Sequence, residues 1–198
     1  MRVNILLFDN FETLDVFGPV EILGKVEEYE LKYLSLRGGL IVSAQGVSIM
    51  TDKIDPADTA SKAEILVVPG GRGTRALVRD AVFLEQLITL TTHSKYCLSI
   101  CTGSALLARA GLLNGKSATS NKRALSWVMS MNKDVNWIQS ARWVTDDKYY
   151  SSSGVSAGMD MTLGFIKDRL GEQRALNIAD SIEYVWNTDC SKDPFALE

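Results

Sequence analysis

Cysteine and histidine are scarce in this sequence, and their scarcity limits the chemistry that its side chains can support. The 198 residues include three cysteines and one histidine, and no two cysteines have the C-x-x-C spacing of a structural zinc site. Cys97 and Cys101 lie on one predicted strand, about 13 Å apart at the rise of an extended chain, which is too far for a disulfide bond. The sequence therefore predicts reduced cysteines and no metal site.

Long apolar runs and an excess of basic residues are also missing. No stretch approaches the roughly 20 apolar residues that cross a bilayer, and the apolar start over residues 1–8 lacks the small-residue cleavage site of a signal peptide. The formal net charge is −3 and the pI about 5.3, unlike the basic surface of a nucleic-acid-binding protein. We expect a cytoplasmic protein that binds neither nucleic acid nor membranes.

The composition is that of an ordinary globular domain, with 46% hydrophobic and 23% charged residues. We expect one domain over residues 1–198, whose last ten or so residues form a polar tail. Short apolar runs alternate with segments of helical spacing, which predicts an α/β fold with a mostly parallel sheet between helices. The predicted strands are 3–8, 30–36, 65–68, 96–100, 137–145 and 148–152, with a hairpin over 40–50. The predicted helices are 14–26, 82–92, 102–110, 122–131, 156–170 and 172–186, with a short helix or loop over 57–63.

The first predicted helix follows the first strand closely. Its buried face is expected to carry apolar residues at helical spacing, namely Leu14, Phe17, Val20 and Leu23. A proline at position 19 is tolerable only if it lies near the first turn. Asp15 then lies at or just before the start of this helix, close to the carboxyl end of the first strand.

The stretch 95–113 joins a buried strand to a helix, with Cys101 at the junction. The small residues Ser99 and Gly103 precede and follow it by two positions, as the sharp turn of a nucleophile elbow requires. A cysteine at the start of a helix faces the positive end of the helix dipole, which favours the thiolate. Cys101 is accordingly either a nucleophile or one more buried core cysteine.

Several polar or small residues are expected at one edge of the sheet. Ligands of parallel sheets bind at the carboxyl ends of the strands, and the residues that follow strands here are Asp15, Gly70, Gly71, Cys101, Asn121 and Ser153. His93 instead precedes the 96–100 strand and is separated from Cys101 by roughly 20 Å of extended chain. A cysteine–histidine dyad within the chain is therefore excluded.

A carboxylic acid is the remaining candidate partner for the thiol. Asp15 could be held protonated by burial and donate its proton, or it could be an ordinary first-turn acid stabilised by the helix dipole. Glu12 is a second acid nearby, expected to face solvent. The N–H groups of Gly70 and Gly71 could join that of Thr102 in an oxyanion site, or the glycines could simply allow a tight turn.

Four segments in order together resemble the ThiJ/PfpI superfamily, whose domain is similar to class I glutamine amidotransferases. They are VNILLFDNFETLDVFGPVEI, ILVVPGGRG, ICTGSALLARAGLLNGKSAT and ARWVTDDKYYSSSGVSAGMDMTL. Within the superfamily, Cys101 followed by Thr102 rather than histidine is similar to the isonitrile hydratase branch. That resemblance implies a flavodoxin-like three-layer α/β/α sandwich, a homodimer, no cofactor and a small-molecule substrate. It also implies catalytic roles for Cys101, Asp15 and Thr102.

The sequence departs from other branches of the superfamily at two positions. Many relatives have histidine where this chain has Asn121, and protease-like and deglycase-like relatives have glutamate where it has Asp15. Three functions remain open: hydration of an isonitrile to a formamide, a glyoxalase-like or deglycase-like hydrolase activity on reactive carbonyls, and redox sensing through oxidation of Cys101 without turnover. In the enzymatic readings, Gly70, Gly71 and Asn121 are candidate substrate-binding or oxyanion-binding residues.

Overall fold

The structure, a computed structural model, describes residues 1–55 and 63–196, so the predicted helix or loop over 57–63 falls almost wholly outside the described residues. The strands are β1 (Arg2–Leu6), β2 (Glu30–Ser35), β3 (Gly39–Val42), β4 (Ser48–Lys53), β5 (Ile65–Val68), β6 (Tyr96–Ser99), β7 (Ser117–Ala118), β8 (Asn136–Trp137), β9 (Trp143–Asp146) and β10 (Tyr149–Ser152). The helices are α1 (Thr13–Gly24), α2 (Thr74–Leu77), α3 (Ala81–His93), α4 (Gly103–Arg109), α5 (Leu125–Met129), α6 (Ala157–Leu170) and α7 (Glu172–Ser181), with a 3-10 turn over Lys122–Ala124.

A mostly parallel sheet forms the centre of the described chain. Its strand order is β3-β4-β2-β1-β5-β6-β10-β9, and only the outer pairs β3-β4 and β9-β10 are antiparallel. All four residues of β5 are buried, because strands of a parallel sheet are covered by helices on both faces. Helices α1, α6 and α7 pack as one group and α2 to α5 as another, which gives the predicted three-layer flavodoxin-like sandwich.

The buried face of α1 agrees with the prediction at Leu23, which is buried, and at Val20, which packs partly buried against the core, but differs in its first half. Leu14 and Phe17 are exposed, whereas Gly18 and Pro19 are buried. The helix packs closely against α6, and a Cβ added at Gly18 would lie 2.7 Å from Cγ of Met159. The expectation that the proline lies in the first turn was also wrong, since Pro19 lies inside the helix. Close contact with a second helix selects this face, and hydrophobic spacing alone does not reveal such a contact.

Two predicted segments are divided in the structure. The 137–145 strand is in fact β8, which pairs with β7 in a separate two-stranded sheet, and β9, which pairs with β10. The 122–131 helix begins as a 3-10 turn and continues as the short α5. The predicted hairpin over 40–50 is confirmed as the antiparallel pair β3-β4.

The last helix, α7, is shorter than predicted. It ends at Ser181, and Glu183 adopts φ of 52°, a left-handed conformation that an α-helix cannot continue through. The residues beyond it donate hydrogen bonds to Asp160 instead, from the Tyr184 hydroxyl at 3.0 Å and from the Trp186 indole at 3.1 Å. None of the helices in the described ranges is long and apolar enough to span a membrane.

Candidate active site

Cys101 lies in a sharp turn between β6 and α4. Its φ is 55°, a left-handed conformation that costs a non-glycine residue about 1 kcal/mol or more. Neighbouring segments hold the residue there: its N–H donates to the Ser153 carbonyl at 3.1 Å, and its carbonyl accepts from the hydroxyls of Ser104 at 3.1 Å and Ser120 at 2.8 Å. The side chain is 5% exposed. The backbone geometry is that of the predicted nucleophile elbow.

Gly103 allows the elbow to approach the end of β5. A Cβ at this position would lie 2.2 Å from the Val68 carbonyl oxygen and 2.9 Å from that of Pro69. Both atoms belong to the backbone, so they cannot move aside as a flexible side chain could. A glycine is therefore required two residues after Cys101, as the elbow pattern predicts.

We expect Gly103→Ala to lower the free energy of unfolding by about 3 kcal/mol or more, because the added methyl group overlaps the backbone of β5. Urea denaturation followed by circular dichroism measures the change. Gly24→Ala is the matched control, since a Cβ there meets nothing within 4 Å. Equal stability of the two variants would contradict the close approach at the elbow.

Asp15, the third residue of α1, is the acid nearest to Cys101. The residue is completely buried, and its Oδ2 accepts a 2.9 Å hydrogen bond from the Gly70 N–H. Its Oδ1 makes no regular hydrogen bond with any described residue. Burial, with a smaller contribution from the charge of Glu12, raises the pKa of Asp15 from 3.8 to about 7, against the opposing effects of the Gly70 N–H and the Cys101 thiol.

The electrostatics of Cys101 differ from the sequence prediction. Burial raises the pKa of the thiol, and the charge of Asp15 raises that pKa further. The predicted preference for a thiolate was therefore wrong, because desolvation of the buried sulfur outweighs the dipole of a helix only seven residues long. Asp15 thus ionises before the thiol, and because its pKa is about 7, its carboxyl is divided between the protonated and ionised forms near neutral pH.

Three hydrogen-bond donors nevertheless surround the sulfur of Cys101. The N–H groups of Thr102 and Val155 and the side chain of Asn121 each lower the pKa of the thiol. The Asn121 Oδ1 accepts a 3.1 Å bond from the Ala124 N–H, which leaves its amide nitrogen for the sulfur. These donors stabilise negative charge on the sulfur when that charge develops.

Val155 is a site residue that the sequence analysis missed. It adopts φ of 45° and follows Gly154, where a Cβ would lie 2.4 Å from the Asn121 amide nitrogen. The loop conformation of the segment before α6 turns the Val155 N–H toward Cys101. A glycine that follows three serines at a strand end is the one available signal, and such glycines occur in many ordinary loops.

The N–H groups of Gly70 and Gly71 already have acceptors within the protein. That of Gly70 is bonded to Asp15, and that of Gly71 donates to the Thr102 hydroxyl oxygen at 3.0 Å. Gly71 has φ of 123°, and a Cβ there would lie 2.4 Å from the Glu12 nitrogen. In this geometry the two glycines hold Asp15 and Thr102 in place, rather than offering free donors to an oxyanion as the sequence suggested.

The other two polar side chains considered from the sequence, Glu12 and His93, are not part of the Cys101–Asp15 pair. Glu12 accepts a 2.9 Å hydrogen bond from the Gln45 side chain. His93 ends α3 at the opposite edge of the sheet, where its ring is bonded to the Thr89 carbonyl, as predicted. Within the described ranges, no three acidic, cysteine or histidine side chains are grouped to hold a metal ion.

A cavity of about 470 Å³ opens beside the elbow. Its walls come from the start of the 3-10 turn, from the segment that contains Val155, and from the C-terminal part of the chain. The lining residues are Asn121, Lys122, Arg123, Ser153, Gly154, Val155, Ser156 and Phe195. Two donors to the Cys101 sulfur, Asn121 and Val155, thus also face a space of small-molecule size.

Comparisons with known proteins agree with this geometry. The chain is 26% identical over 191 residues to an isonitrile hydratase of Pseudomonas putida, covering 93% of this chain and 78% of that protein. It is 30% identical over 152 residues to a deglycase of Pyrococcus abyssi, covering 77% and 89%. A crystal structure of a ThiJ/PfpI family protein from Pseudomonas syringae superimposes with a TM-score of 0.80 at 25% identity, covering 94% and 76%. The model of the DJ-1/PfpI family matches residues 1–168, and the chain belongs to that family.

Proposed function

We propose that this protein adds water to an isonitrile and releases an N-substituted formamide, with Cys101 as nucleophile and Asp15 as proton carrier. The observation that carries the proposal is the buried Cys101–Asp15 pair, with three donors on the sulfur and the chain's one histidine at the opposite edge of the sheet. The similarity to the P. putida isonitrile hydratase supports the choice of substrate class.

In the first step, the Cys101 sulfur forms a bond to the terminal carbon of the isonitrile. Asp15, ionised before the thiol, accepts the thiol proton as the sulfur attacks, and then donates it to the same carbon. One C–S and one C–H bond form, and the triple C–N bond becomes a double bond. The product of this step is a thioimidate attached to Cys101.

In the second step, water adds to the thioimidate carbon. Asp15 accepts the first proton of the water and passes it to the nitrogen, then relays the second proton to the sulfur as the C–S bond breaks. The products are the formamide, the Cys101 thiol and the Asp15 carboxylate. The net reaction therefore converts one isonitrile and one water to one N-substituted formamide. No electron acceptor or cofactor enters this balance.

The surrounding groups act at defined stages of this reaction. Negative charge develops on the sulfur when it loses its proton and again when it leaves, and the donors from Thr102, Val155 and Asn121 stabilise it there. The bond from the Gly70 N–H orients the Asp15 carboxyl. The Thr102 hydroxyl, which the resemblance assigned to catalysis, bonds to Gly71 and Thr74, and we propose that it shapes the turn.

We expect the purified protein to convert cyclohexyl isocyanide to N-cyclohexylformamide, because the pair supplies both the nucleophile and the proton relay. Gas chromatography with mass detection identifies the formamide, and heat-denatured protein controls for spontaneous hydration. Methylglyoxal is assayed in parallel for conversion to lactate. Lactate without formamide would replace the proposal by the second candidate.

That second candidate is a glyoxalase-like or deglycase-like hydrolase activity on reactive carbonyls, which the similarity to the P. abyssi deglycase favours. A third, redox sensing by Cys101, would show neither product and a mass increase of two oxygen atoms on Cys101 after mild peroxide. A single domain over 1–198, a homodimer and a cytoplasmic location likewise remain proposals.

A further inference from the structure

Residues 187–196 form the last described part of the chain that follows α7, and this segment is fixed to the body of the protein. The Cys190 carbonyl accepts a 2.9 Å hydrogen bond from the Arg142 N–H, and the Asp193 N–H donates to the Ser140 carbonyl at 2.7 Å. The sequence predicts that these residues form a polar tail. The described part of that tail instead lies along the strand-end loops beside the elbow.

Four buried charged side chains hold the segment in place. Arg142 is bonded through its Nε to Asp160 Oδ2 at 2.7 Å, and its NH1 lies 3.8 Å from Asp193 Oδ1. Lys122 Nζ lies 4.0 Å from Asp193 Oδ2, and each of the four side chains is at most 7% exposed. Without Lys122 and Arg142, the Asp193 carboxylate would be buried with no opposite charge nearby, and the folded protein would be strongly destabilised. Asp193 therefore ties the C-terminal segment to Lys122 of the 3-10 turn and to Arg142, which directly precedes β9.

Asp193 in turn positions Phe195. Its Oδ1 accepts a 2.9 Å bond from the Phe195 N–H, and its carbonyl accepts a 3.0 Å bond from the Ala196 N–H. Phe195 is 70% exposed and lines the 470 Å³ cavity together with Asn121 and Val155. An isolated exposed aromatic residue is unremarkable, but this one is held at a cavity that is also lined by Asn121 and Val155, two of the donors at the Cys101 sulfur.

The direction of attack decides what Phe195 would meet. Because the sulfur bonds to the terminal carbon of an isonitrile, the substituent on nitrogen extends away from Cys101, and the cavity lined by Asn121 and Val155 offers a space for it. The charge of Lys122 is offset by Asp193, and the other charged residue of the lining is the exposed Arg123. The ring of Phe195 then offers an apolar surface to the substituent.

We propose that the segment 187–196 is part of the substrate site and that Phe195 selects substrates with a cycloalkyl or aryl substituent over those with a small alkyl group. This inference rests on the proposed function in one respect, namely that the reacting group of the substrate is an isonitrile. Its selectivity for an apolar substituent is a property of the cavity and can be measured without isonitrile turnover.

The first test compares steady-state kinetics of the wild-type protein, Phe195→Ala and Phe195→Leu. We expect Phe195→Ala to lower the ratio of kcat/KM for cyclohexyl isocyanide over methyl isocyanide by about tenfold, mainly through a higher KM for the cyclohexyl compound. Phe195→Leu, which restores an apolar wall, should recover most of the ratio. Val185→Ala is the control, since Val185 is 91% exposed and does not line the cavity.

The second test measures alkylation of Cys101 by N-cyclohexylmaleimide and N-methylmaleimide, with peptide mass spectrometry to separate Cys101 from Cys97 and Cys190. We expect the cyclohexyl-to-methyl rate ratio to fall about fivefold or more in Phe195→Ala. If this ratio falls in Phe195→Ala but the wild-type protein produces no formamide, the proposed function is rejected and the inference stands. An unchanged ratio, or no alkylation of Cys101 in the wild-type protein, would overturn the inference even if formamide forms.

Discussion

Cys101→Ala is expected to reduce formamide production from cyclohexyl isocyanide by more than about 10⁴-fold, because no thioimidate can form without the sulfur. Asp15→Asn keeps the size of the side chain and an oxygen to accept from the Gly70 N–H. It removes the proton carrier, so we expect a loss of about 10²- to 10⁴-fold. Formamide measured by mass detection over the course of the reaction gives both values.

The controls for these variants separate catalysis from folding. Val185→Ala changes a side chain that is 91% exposed and does not line the cavity, and we expect it to retain activity. Circular dichroism and thermal unfolding establish that Cys101→Ala is folded. The mechanism is rejected if Cys101→Ala and Asp15→Asn both produce formamide at the wild-type rate.

Asp15→Asn is also expected to stabilise the protein at pH 8, by on the order of 4 kcal/mol. The pKa of Asp15 is raised from 3.8 to about 7 in the folded state, so the folded protein binds this proton more tightly than the unfolded chain does. The stability that the neutral carboxyl contributes is fully present below about pH 4 and is lost as pH rises through about 7. The asparagine variant has no such loss, and its advantage should grow between pH 4 and pH 8.

Urea denaturation of the wild-type protein and Asp15→Asn at several pH values measures this difference. Asp189→Asn is a suitable control, because Asp189 is exposed and hydrogen bonds from Ser191 lower its pKa, so its replacement should not stabilise the protein at alkaline pH. A constant difference between wild type and Asp15→Asn across the pH range would contradict a buried acid with a raised pKa. A stabilised but inactive variant would indicate that the site sacrifices stability for function.

The strained geometry of the elbow is also typical of a site at which stability is lost for the sake of function. Cys101 has a left-handed backbone conformation, and the ionised form of Asp15 is buried with one oxygen that lacks a regular hydrogen bond among the described residues. Each feature costs free energy in the folded state. Both costs fall on the two residues to which we assign the chemistry, as expected of a preorganised active site.

Much of this fold could be predicted from local patterns. The apolar runs of β1, β5 and β6 indicate buried parallel strands, and Gln45–Gly46 marks the turn of the β3-β4 hairpin. The small residues around Cys101 indicate the elbow, because only a glycine fits where α4 begins against the Val68 carbonyl. These features follow from the preferences of single residues and their immediate neighbours.

The buried face of α1 and the early end of α7 could not be predicted in this way. The first depends on the approach of α6 to Gly18, and the second on hydrogen bonds that reach Asp160 from residues more than twenty positions later. Sequence spacing within one element carries no information about such partners.

The sequence by itself indicated the alternation of strands and helices, the position of Cys101 between a strand and a helix, the separation of His93 from it and the candidacy of Asp15. Only the tertiary structure decided that Asp15 ionises before Cys101, that the Val155 N–H faces the sulfur, and that Phe195 lines the adjoining cavity. Ionisation depends on desolvation and on charges brought together from distant parts of the chain. The C-terminal segment likewise reaches its place through buried ion pairs with Arg142 and with Lys122 of the 3-10 turn, which no local pattern specifies.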